Sequence, residues 1–383
     1  MPENDPEAQI VRRLLDDVLR PMQAAFVGKD EIIDLLGIAL VAGENLFLLG
    51  PPGTAKTALV NELSRRLQGR SFSYLLTRFT EPSELFGPFD IRRLRDGDLV
   101  TNTEGMLPEA AVVFLDELLN ANSAILNSLL TVLNERVFRR GKETRKLPLL
   151  MVVGASNHLP EEDALAALFD RFLLRVRCDN VGDDRLDAVL RAGWRLDADV
   201  AAPAATLSTD DVRALQRRLH MVDLEGVRPA FVELIHKLRR AGIAVSDRRA
   251  VKLQRLVAAS ALLCQRTQVQ RSDLWVLRYV WDTEEQQEVL AKLVGDALGD
   301  TAAESAAHPR ARAADRPDPE SLARDLDQLT TELEGAPDAA ATSRLRDRLA
   351  ALAARVQWVA EAGPREFLTQ KVQGLWPRLS TAS

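Results

Sequence analysis

The sequence predicts an α/β protein whose parallel sheet is covered by helices, and two observations carry this prediction. Apolar runs of strand length alternate with amphipathic helical segments, and the runs lie at residues 46–49, 72–77, 112–115, 149–155 and 173–178. Near-continuous apolar strands between helices are typical of a parallel sheet that is buried on both faces. In addition, the first run leads directly into a glycine-containing loop and a helix, as in phosphate-binding α/β cores.

The chain divides into four regions of different pattern, and its 383 residues exceed one typical core. Residues 1–181 contain the alternating strands and helices, and residues 182–298 contain amphipathic helices alone. Residues 299–320 are rich in Ala, Pro, Asp and Arg and predict a linker. Residues 321–383 predict a helical hairpin or bundle. We therefore expect an α/β core, an all-helical second domain and a C-terminal helical bundle.

Composition narrows the class of protein. No apolar run has the length of a membrane span, and the polar, acidic residues 1–5 do not resemble a signal peptide. The net charge of −6 disfavours a surface built for nonspecific nucleic-acid binding. The chain has two cysteines, Cys178 and Cys264, both in apolar surroundings. Free thiols of this kind predict a cytoplasmic protein.

The first predicted elements are two helices separated by a turn. Residues 11–22 place Leu14, Val18 and Leu19 on one face of a helix. The turn contains Gly28, and residues 31–42 predict the second helix.

A phosphate-binding loop follows the first strand. Residues 50–57 read Gly-Pro-Pro-Gly-Thr-Ala-Lys-Thr, which fits the pattern G-x-x-x-x-G-K-[ST] except at Ala55. Backbone N–H groups of such a loop solvate phosphate oxygens, and the next helix adds its N-terminal partial positive charge. Lys56 can reach the β and γ phosphates, and Thr57 can bind Mg²⁺. The predicted nucleotide-binding residues are Gly50, Pro51, Pro52, Gly53, Thr54, Ala55, Lys56 and Thr57.

Polar residues also follow or precede three later strands. Asp116 and Glu117 come after residues 112–115, and the carboxyl ends of parallel strands face the ligand crevice. Asp116 is suited to hold Mg²⁺ through water, and Glu117 to activate the attacking water. Asn157 ends the next strand and could hold that water. Arg171 precedes the last strand and could act in trans on the transferring phosphate.

Two cationic stretches interrupt the alternation of strands and helices. Residues 89–102 contain an Asp-Gly turn and predict a hairpin. Residues 137–147 predict a second hairpin that turns near Gly141 and Lys142. Two interpretations stay open, because such hairpins can be solvated surface or can line a pore that grips nucleic acid.

Taken together, these motifs resemble the AAA+ ATPases, and more narrowly the RavA-like branch of the MoxR family. The resemblance covers about residues 10–290, and the loop with alanine before lysine is one of its marks. The other matching segments are residues 77–88, 103–110, 124–131, 134–136, 155–161 and 246–249. The resemblance implies an AAA+ P-loop core with a five-stranded parallel sheet, an all-α lid domain and a C-terminal helical bundle. Longer RavA proteins insert a compact domain into that bundle, and residues 299–383 do not match such an insertion.

The resemblance also implies roles for residues of the core. Lys56 and Thr57 match Walker A, Asp116 and Glu117 match Walker B, and Asn157 matches sensor 1. Ala55, as a mark of the family, is expected to keep a negative φ with its N–H directed at phosphate.

The resemblance implies further roles for residues that contact the neighbouring subunit or the adenine base of the nucleotide. Arg171 matches the arginine finger and Arg248 matches sensor 2, with Arg249 as the competitor for that role. The adenine pocket is expected at Phe26, Val27 and Gly28. The hairpins at 89–102 and 137–147 match inserts that approach the central pore of the ring.

The function that the resemblance implies is Mg²⁺-dependent ATP hydrolysis by a homo-oligomeric ring, a hexamer, which remodels a protein client as a chaperone does. A von Willebrand factor A (vWA) protein is the implied partner. Two alternatives stay open: a motor that translocates nucleic acid, and a nucleotide-gated scaffold that does not hydrolyse ATP. The intact Glu117, Asn157 and Arg171 disfavour the scaffold. The sequence leaves open the client, the closure of the ring and whether Arg248 acts in cis or in trans.

Overall fold

The computed structural model describes residues 5–90, 100–140, 143–160, 162–182, 185–198, 206–299, 307–313, 319–334, 339–356 and 362–381. The chain forms two compact units, Met1–His308 and Pro309–Ser383. The first unit contains the α/β core together with the helices that follow it, and a domain division at residue 181 stays a prediction. The boundary between the units falls within residues 299–320, much of which lies outside the described residues.

A five-stranded sheet forms the centre of the first unit, and every neighbouring pair in it is parallel. Its spatial order is β3 (Ser71–Leu75), β4 (Val112–Asp116), β7 (Met151–Ser156), β1 (Leu46–Leu49) and β8 (Leu174–Arg177). Strands β1 and β7 are buried along their whole length, which explains why their sequences are almost entirely apolar. The predicted α/β fold is confirmed, and the carboxyl ends of all five strands lie at one edge of the sheet.

Two small strand pairs lie outside the central sheet. β2 (Leu67–Gln68) pairs in parallel with β9 (Leu207–Ser208). β5 (Val137–Arg140) pairs with β6 (Glu143–Lys146) in the antiparallel sense, so the structure contains the hairpin predicted at 137–147, while its turn lies outside the described residues. Of the other predicted hairpin, 89–102, only the base is described, where Phe89 and Thr101 form an antiparallel bridge.

The helices of the first unit flank the sheet and continue beyond it. Those before and between the strands of the sheet are α1 (Pro6–Arg13), a π-helical continuation (Leu14–Leu19), α2 (Arg20–Ala25), α3 (Asp30–Ala42), α4 (Lys56–Arg66), α5 (Pro82–Phe86), α6 (Ser123–Glu135) and α7 (Asp163–Phe169). Those after the sheet are α8 (Leu186–Ala198), α9 (Thr209–Arg218), α10 (Arg228–Arg240), α11 (Asp247–Leu263) and α12 (Glu285–Leu298). Short 3₁₀ segments lie at Leu107–Glu109, Leu118–Asn120, Leu219–Met221 and Arg271–Tyr279.

Helix α3 joins the sheet to the later helices, because it is apolar on nearly every side. Ile33, Leu36 and Leu40 are fully buried, and each such side chain contributes about 2 kcal/mol of hydrophobic stabilisation. At its end, Glu44 is 2% exposed and forms ion pairs with Lys252 (2.7 Å) and with an arginine one turn further along α11 (3.3 Å). Helix α11 is therefore fixed against the residues that lead into β1.

The second unit is helical. It consists of α13 (Pro309–Ala313), α14 (Pro319–Glu334), α15 (Ala339–Val356) and α16 (Ala362–Thr381). Its core is largely leucine, which matches the amphipathic spacing of the sequence: Leu322, Leu326, Leu329, Leu345, Leu349, Leu352, Val356, Leu368, Val372 and Leu375. The predicted C-terminal helical bundle is confirmed.

None of the helices in the described ranges has the length and apolar character that crossing a bilayer requires.

Candidate active site

The loop of residues 50–55 lies at the carboxyl end of β1 and leads into α4. The N–H of Gly50 donates to the carbonyl oxygen of Ser156 at 3.0 Å, which anchors the loop beside β7. A Cβ atom at Gly50 would lie 2.2 Å from the carbonyl oxygen of Cys178, so only glycine fits there. The Lys56 ammonium donates to the carbonyl oxygens of Gly50 (2.7 Å) and Pro51 (2.9 Å). Lys56 thus lies in the curve of the loop, where its charge would meet a bound phosphate.

The backbone of Ala55 corrects the expectation for this residue. Its φ is 69° and its ψ is 19°, so it lies in the left-handed region and the expected negative φ is wrong. This conformation costs an L-residue about 1–2 kcal/mol. The physical reason is the sharp junction between loop and helix, since the Ala55 carbonyl already accepts the N–H of Leu59 at 2.9 Å in the first turn of α4. Strain of this kind is characteristic of functional loops.

Asp116 and Glu117 stand at the carboxyl end of β4. Oδ2 of Asp116 is 3.5 Å from Oγ1 of Thr57, so both oxygens can serve one hydrated cation. Oδ1 of Asp116 accepts the backbone N–H of Glu117 at 3.0 Å. Glu117 adopts a left-handed conformation with φ 51°, which turns the chain sharply out of the strand.

Asn157 follows β7 at the same edge of the sheet. Ser156 is in register with Leu49, so Asn157 lies beside Gly50, and its side chain is exposed. On the other side of β7, Leu115 is in register with Gly154. The register thus brings the predicted sensor residue, the carboxylates and the loop together.

The side chains fit a magnesium ion better than an all-protein metal site. Within the described ranges, no three acidic, histidine or cysteine side chains form a metal-binding group. Mg²⁺ usually takes one or two protein oxygens and completes its shell with water and phosphate oxygens. Thr57 and Asp116 provide such a pair.

A cavity of about 610 Å³ opens beside the loop, within the range of small-molecule pockets. Phe26 and Val27, the predicted adenine residues, line it together with Gly53, Thr54 and Ala55. Gly28, with φ 72°, stands behind them, where a Cβ atom would lie 2.9 Å from the side chain of Val181.

Sequence reasoning missed one wall of this cavity. Helix α8 contributes apolar residues to it, including Leu186, Val189 and Leu196. Their helical spacing was the available signal, but that spacing alone does not say which surface the helix covers.

Arg171 lies at the opposite edge of the sheet from the loop. It stands between α7 and β8, and β8 begins at Leu174, which is in register with Leu46. The loop follows the other end of β1, so about 13 Å of strand separates the two positions. The Arg171 guanidinium is 2.9 Å from the carboxylate of Asp170, and 32% of its side chain is exposed. Arg171 cannot reach the loop of its own chain.

The two sensor 2 candidates differ in their surroundings. Arg249 is 6% exposed, and its guanidinium donates to Asp282 (3.1 Å) and to the carbonyl oxygen of Val280 (2.6 Å). It also lies 3.9 Å from Asp170. Arg248, in the first turn of α11, is exposed. Arg248 is therefore adjacent in the chain to a residue that approaches Asp170, the neighbour of Arg171, and its exposed side chain is open to another molecule.

A buried arginine that sequence reasoning missed completes this cluster. Arg175, in the middle of β8, is fully buried and lies 2.8 Å from Asp282. It donates to the carbonyl oxygen of Trp281 at 2.6 Å and stacks 4.3 Å over the ring of Phe169. Burial, and next the charge of Arg249, lower the pKa of Arg175 to about 10. This cluster fixes the segment after α11 to the last strand of the sheet.

The chain is similar to known proteins over most of its length. Residues 12–217 match the family described as the MoxR domain of MoxR–vWA–beta-propeller ternary systems, and residues 229–294 match an AAA lid domain. An uncharacterized protein of Methanocaldococcus jannaschii is 35% identical over 286 residues, which are 74% of each chain. Chaperone MoxR1 of Mycobacterium tuberculosis is 27% identical over 212 residues, 53% of each chain. The crystal structure of a candidate ATPase from Cytophaga hutchinsonii has a TM-score of 0.63 at 20% identity, covers 75% of this chain and 95% of that one, and shows the fold alone.

Proposed function

The chain belongs to the MoxR family of AAA+ ATPases, and we propose that it hydrolyses Mg²⁺-ATP in a homo-oligomeric ring to remodel a protein client. One observation carries the proposal. Lys56, Thr57, Asp116, Glu117 and Asn157 meet at one edge of the sheet, beside a cavity of about 610 Å³. This set of groups is what phosphoryl transfer to water requires.

The residues divide the reaction between them. The loop N–H groups and Lys56 bind the phosphates, and Thr57 and Asp116 would hold a Mg²⁺ ion, which would supply charge neutralisation at the phosphate oxygens. Glu117 orients the attacking water and accepts its proton, while Asn157 holds that water in line. The water oxygen bonds to the γ phosphorus as the bond to the leaving ADP oxygen breaks. Catalysis comes from positioning and charge stabilisation.

The position of Arg171 supports the ring. Because Arg171 lies one strand length from its own loop, a complete site needs a second copy that presents this edge to the cavity. A head-to-tail contact of this kind forms a ring when the rotation between neighbouring subunits closes. We propose a hexamer, with Arg171 as the finger on the neighbour's γ phosphate and the exposed Arg248 acting in trans beside it.

The family description supports a specific set of partners. It names ternary systems of MoxR, vWA and beta-propeller proteins. We propose that a vWA protein is the direct partner of this ring and that a β-propeller protein is the third component.

The free thiols of Cys178 and Cys264 support the cytoplasm as the compartment. The RavA-like branch stays a prediction.

The proposal is tested by the Glu117→Gln variant. Turnover of ATP, measured at a concentration where oligomers form, should fall by about 100-fold or more while nucleotide binding persists. Glu366→Gln, the same change at an exposed position in α16, is the matched control and should keep full turnover. If the wild type hydrolyses ATP no faster than Glu117→Gln, the proposal of a hydrolase is wrong, and the alternative of a nucleotide-gated scaffold is favoured.

The nucleic-acid motor is the second candidate, because the hairpin at 137–147 is cationic. The arginines of this hairpin, however, form ion pairs or hydrogen bonds with other residues of the same chain. Arg139 lies 2.6 Å from Glu135, Arg140 donates to the carbonyl oxygen of Gly87 at 2.7 Å, and Arg145 donates to a threonine hydroxyl at 2.8 Å. We therefore expect single- and double-stranded DNA to leave ATP turnover unchanged. Stimulation that falls with rising salt would favour the motor instead.

A further inference from the structure

Asn45 is a buried polar residue at the amino edge of the sheet, directly before β1. It is 1% exposed. Its Nδ2 donates to the carbonyl oxygen of Arg171 at 3.1 Å. Its Oδ1 accepts the backbone N–H of Val152 at 3.2 Å and Nη2 of Arg136 at 3.0 Å. One side-chain amide thus joins the segment that carries the finger, the strand that carries the sensor and the residue that begins the 137–147 hairpin.

The orientation of this amide is determined by its partners. Val152 and Arg136 both present N–H groups, so the amide oxygen must face them and the amide nitrogen must face Arg171. A flipped amide would set donors against donors in a buried site, which is costly. The donor to the Arg171 carbonyl is therefore built into the site.

Arg136 holds the other side of the amide. It is itself in the left-handed conformation, with φ 55°, immediately before β5. Its guanidinium also donates to the carbonyl oxygen of Gly43 at 3.2 Å, so the side chain spans the turn that precedes β1. Asn45 therefore cannot shift towards Arg171 or away from it without losing a contact to Arg136.

The backbone of Arg171 is fixed on both sides. Its N–H donates to the carbonyl oxygen of Leu168 at 3.0 Å, and its carbonyl oxygen accepts from Asn45. The side chain is 32% exposed, and its guanidinium contacts Asp170. The direction in which the guanidinium can extend to a neighbouring molecule therefore depends on these two backbone contacts.

We propose that Asn45 is a positioning residue for the arginine finger: it holds the Arg171 backbone so that the guanidinium meets the γ phosphate bound by the neighbouring subunit. The inference rests on the proposed function. A displacement of about 1 Å in a catalytic group can cost about 100-fold in rate. Asn45 touches no substrate, and it lies at the other end of β1 from the phosphate loop.

The first test is Asn45→Asp, which has the same shape. The carboxylate still accepts from Val152 and Arg136 but cannot donate to Arg171. We expect kcat to fall by about tenfold or more, whereas KM and the affinity for nucleotide stay within about twofold. Asn127→Asp makes the same chemical change on the exposed face of α6 and should keep wild-type turnover. Wild-type turnover in Asn45→Asp overturns the inference.

The second test uses mixed oligomers. An Asn45→Asp subunit keeps its own loop and Glu117, and a Glu117→Gln subunit keeps an intact finger. Mixing the two should restore part of the turnover, because one kind of site then combines both intact halves. A role for Asn45 inside its own site, or in folding alone, predicts no restoration and overturns the inference.

The reference is the mixture of Arg171→Ala with Glu117→Gln. Failure of this reference pair contradicts the proposed trans arrangement, and the inference falls with it. If ATP turnover is restored in the reference pair but not in the pair with Asn45→Asp, the inference about Asn45 is wrong, whereas the trans arrangement stands. If Asn45→Asp does not fold, Asn45→Ala removes the amide donor without adding a charge and carries the same expectations.

Discussion

The hydroxyl oxygen of Thr57 lies 3.5 Å from Oδ2 of Asp116, although the two residues are 59 positions apart in the chain. The contact exists because α4 begins at the carboxyl end of β1, in the same sheet as β4. It gives the site the two protein oxygens that a magnesium ion with several waters requires.

Replacement of Asp116 by asparagine removes the negative charge of the side chain but keeps its shape, so it tests the effect of the charge on Mg²⁺ binding. The asparagine side chain can keep the contact to the Glu117 N–H but lacks the negative charge that attracts Mg²⁺. We expect turnover to fall by about 100-fold, with a higher Mg²⁺ concentration needed for half-maximal activity. Turnover measured across a magnesium titration checks this. Asp210→Asn, at a side chain that is 87% exposed, is the control. An unchanged magnesium dependence in Asp116→Asn would contradict the assignment.

Removal of the Arg171 guanidinium should abolish turnover without loss of nucleotide binding. Arg171 lies far from its own loop, so Arg171→Ala leaves the binding residues intact. A finger contributes about 1,000-fold or more to turnover, and a fall of that order is expected. Calorimetric binding and turnover on the same sample check both statements, with the exposed Arg365→Ala as control. A large loss of affinity would place Arg171 in the cis site, against the structure.

Adjacent arginines at the start of α11 should behave differently. Arg249→Met removes donors to Asp282 and Val280 and should lower the free energy of unfolding by about 2 kcal/mol. Arg248→Met, at an exposed side chain, should change it by less than about 0.5 kcal/mol but should lower turnover. Denaturant unfolding and ATPase assays on both variants test the assignment of sensor 2. The reverse pattern would assign that role to Arg249.

The backbone strain at Ala55 should lower the free energy of unfolding by a measurable amount. Ala55→Gly relieves the left-handed backbone, and after the extra chain entropy of glycine the gain should be about 1 kcal/mol. Gly53 has φ 82° and no heavy atom within 4 Å of an added Cβ, so Gly53→Ala introduces the same strain without a clash. That variant should lose about 1 kcal/mol. Equal unfolding midpoints for Ala55→Gly and the wild type would show that the strain is no larger than the entropy cost of glycine, about 0.5–1 kcal/mol.

The sheet was accessible from sequence because its three central strands, β4, β7 and β1, are apolar along most of their length. Leu46–Leu49 was predicted to the residue, and the others lie within two residues of the predicted bounds. The loop and the carboxylates were accessible because each follows such a strand. Periodicity cannot, however, distinguish a buried arginine from an exposed one, so Arg175 and the burial of Arg249 needed the partner that the fold brings to them, Asp282.

Two other features depend on the geometry of the folded chain and could not be read from residue type. Alanine prefers a negative φ, and only the junction between loop and helix imposes the positive value at Ala55. Asn45 precedes a strand, where asparagine is usually a turn residue. Its three hydrogen bonds join segments that are distant in sequence, so its role appears only in the folded chain.

If Arg171 acts on the phosphate of a neighbouring subunit as proposed, its separation from the phosphate loop by the length of β1 gives each subunit a polarity, with one edge that receives an arginine and one that donates it. In an open row of subunits, the first and last members would leave one receiving edge and one donating edge unmatched. A closed circle is the smallest arrangement that leaves neither. The rate of ATP hydrolysis should then rise more steeply than in proportion to the protein concentration and should vanish on dilution. Assembly of the subunits would therefore control the activity.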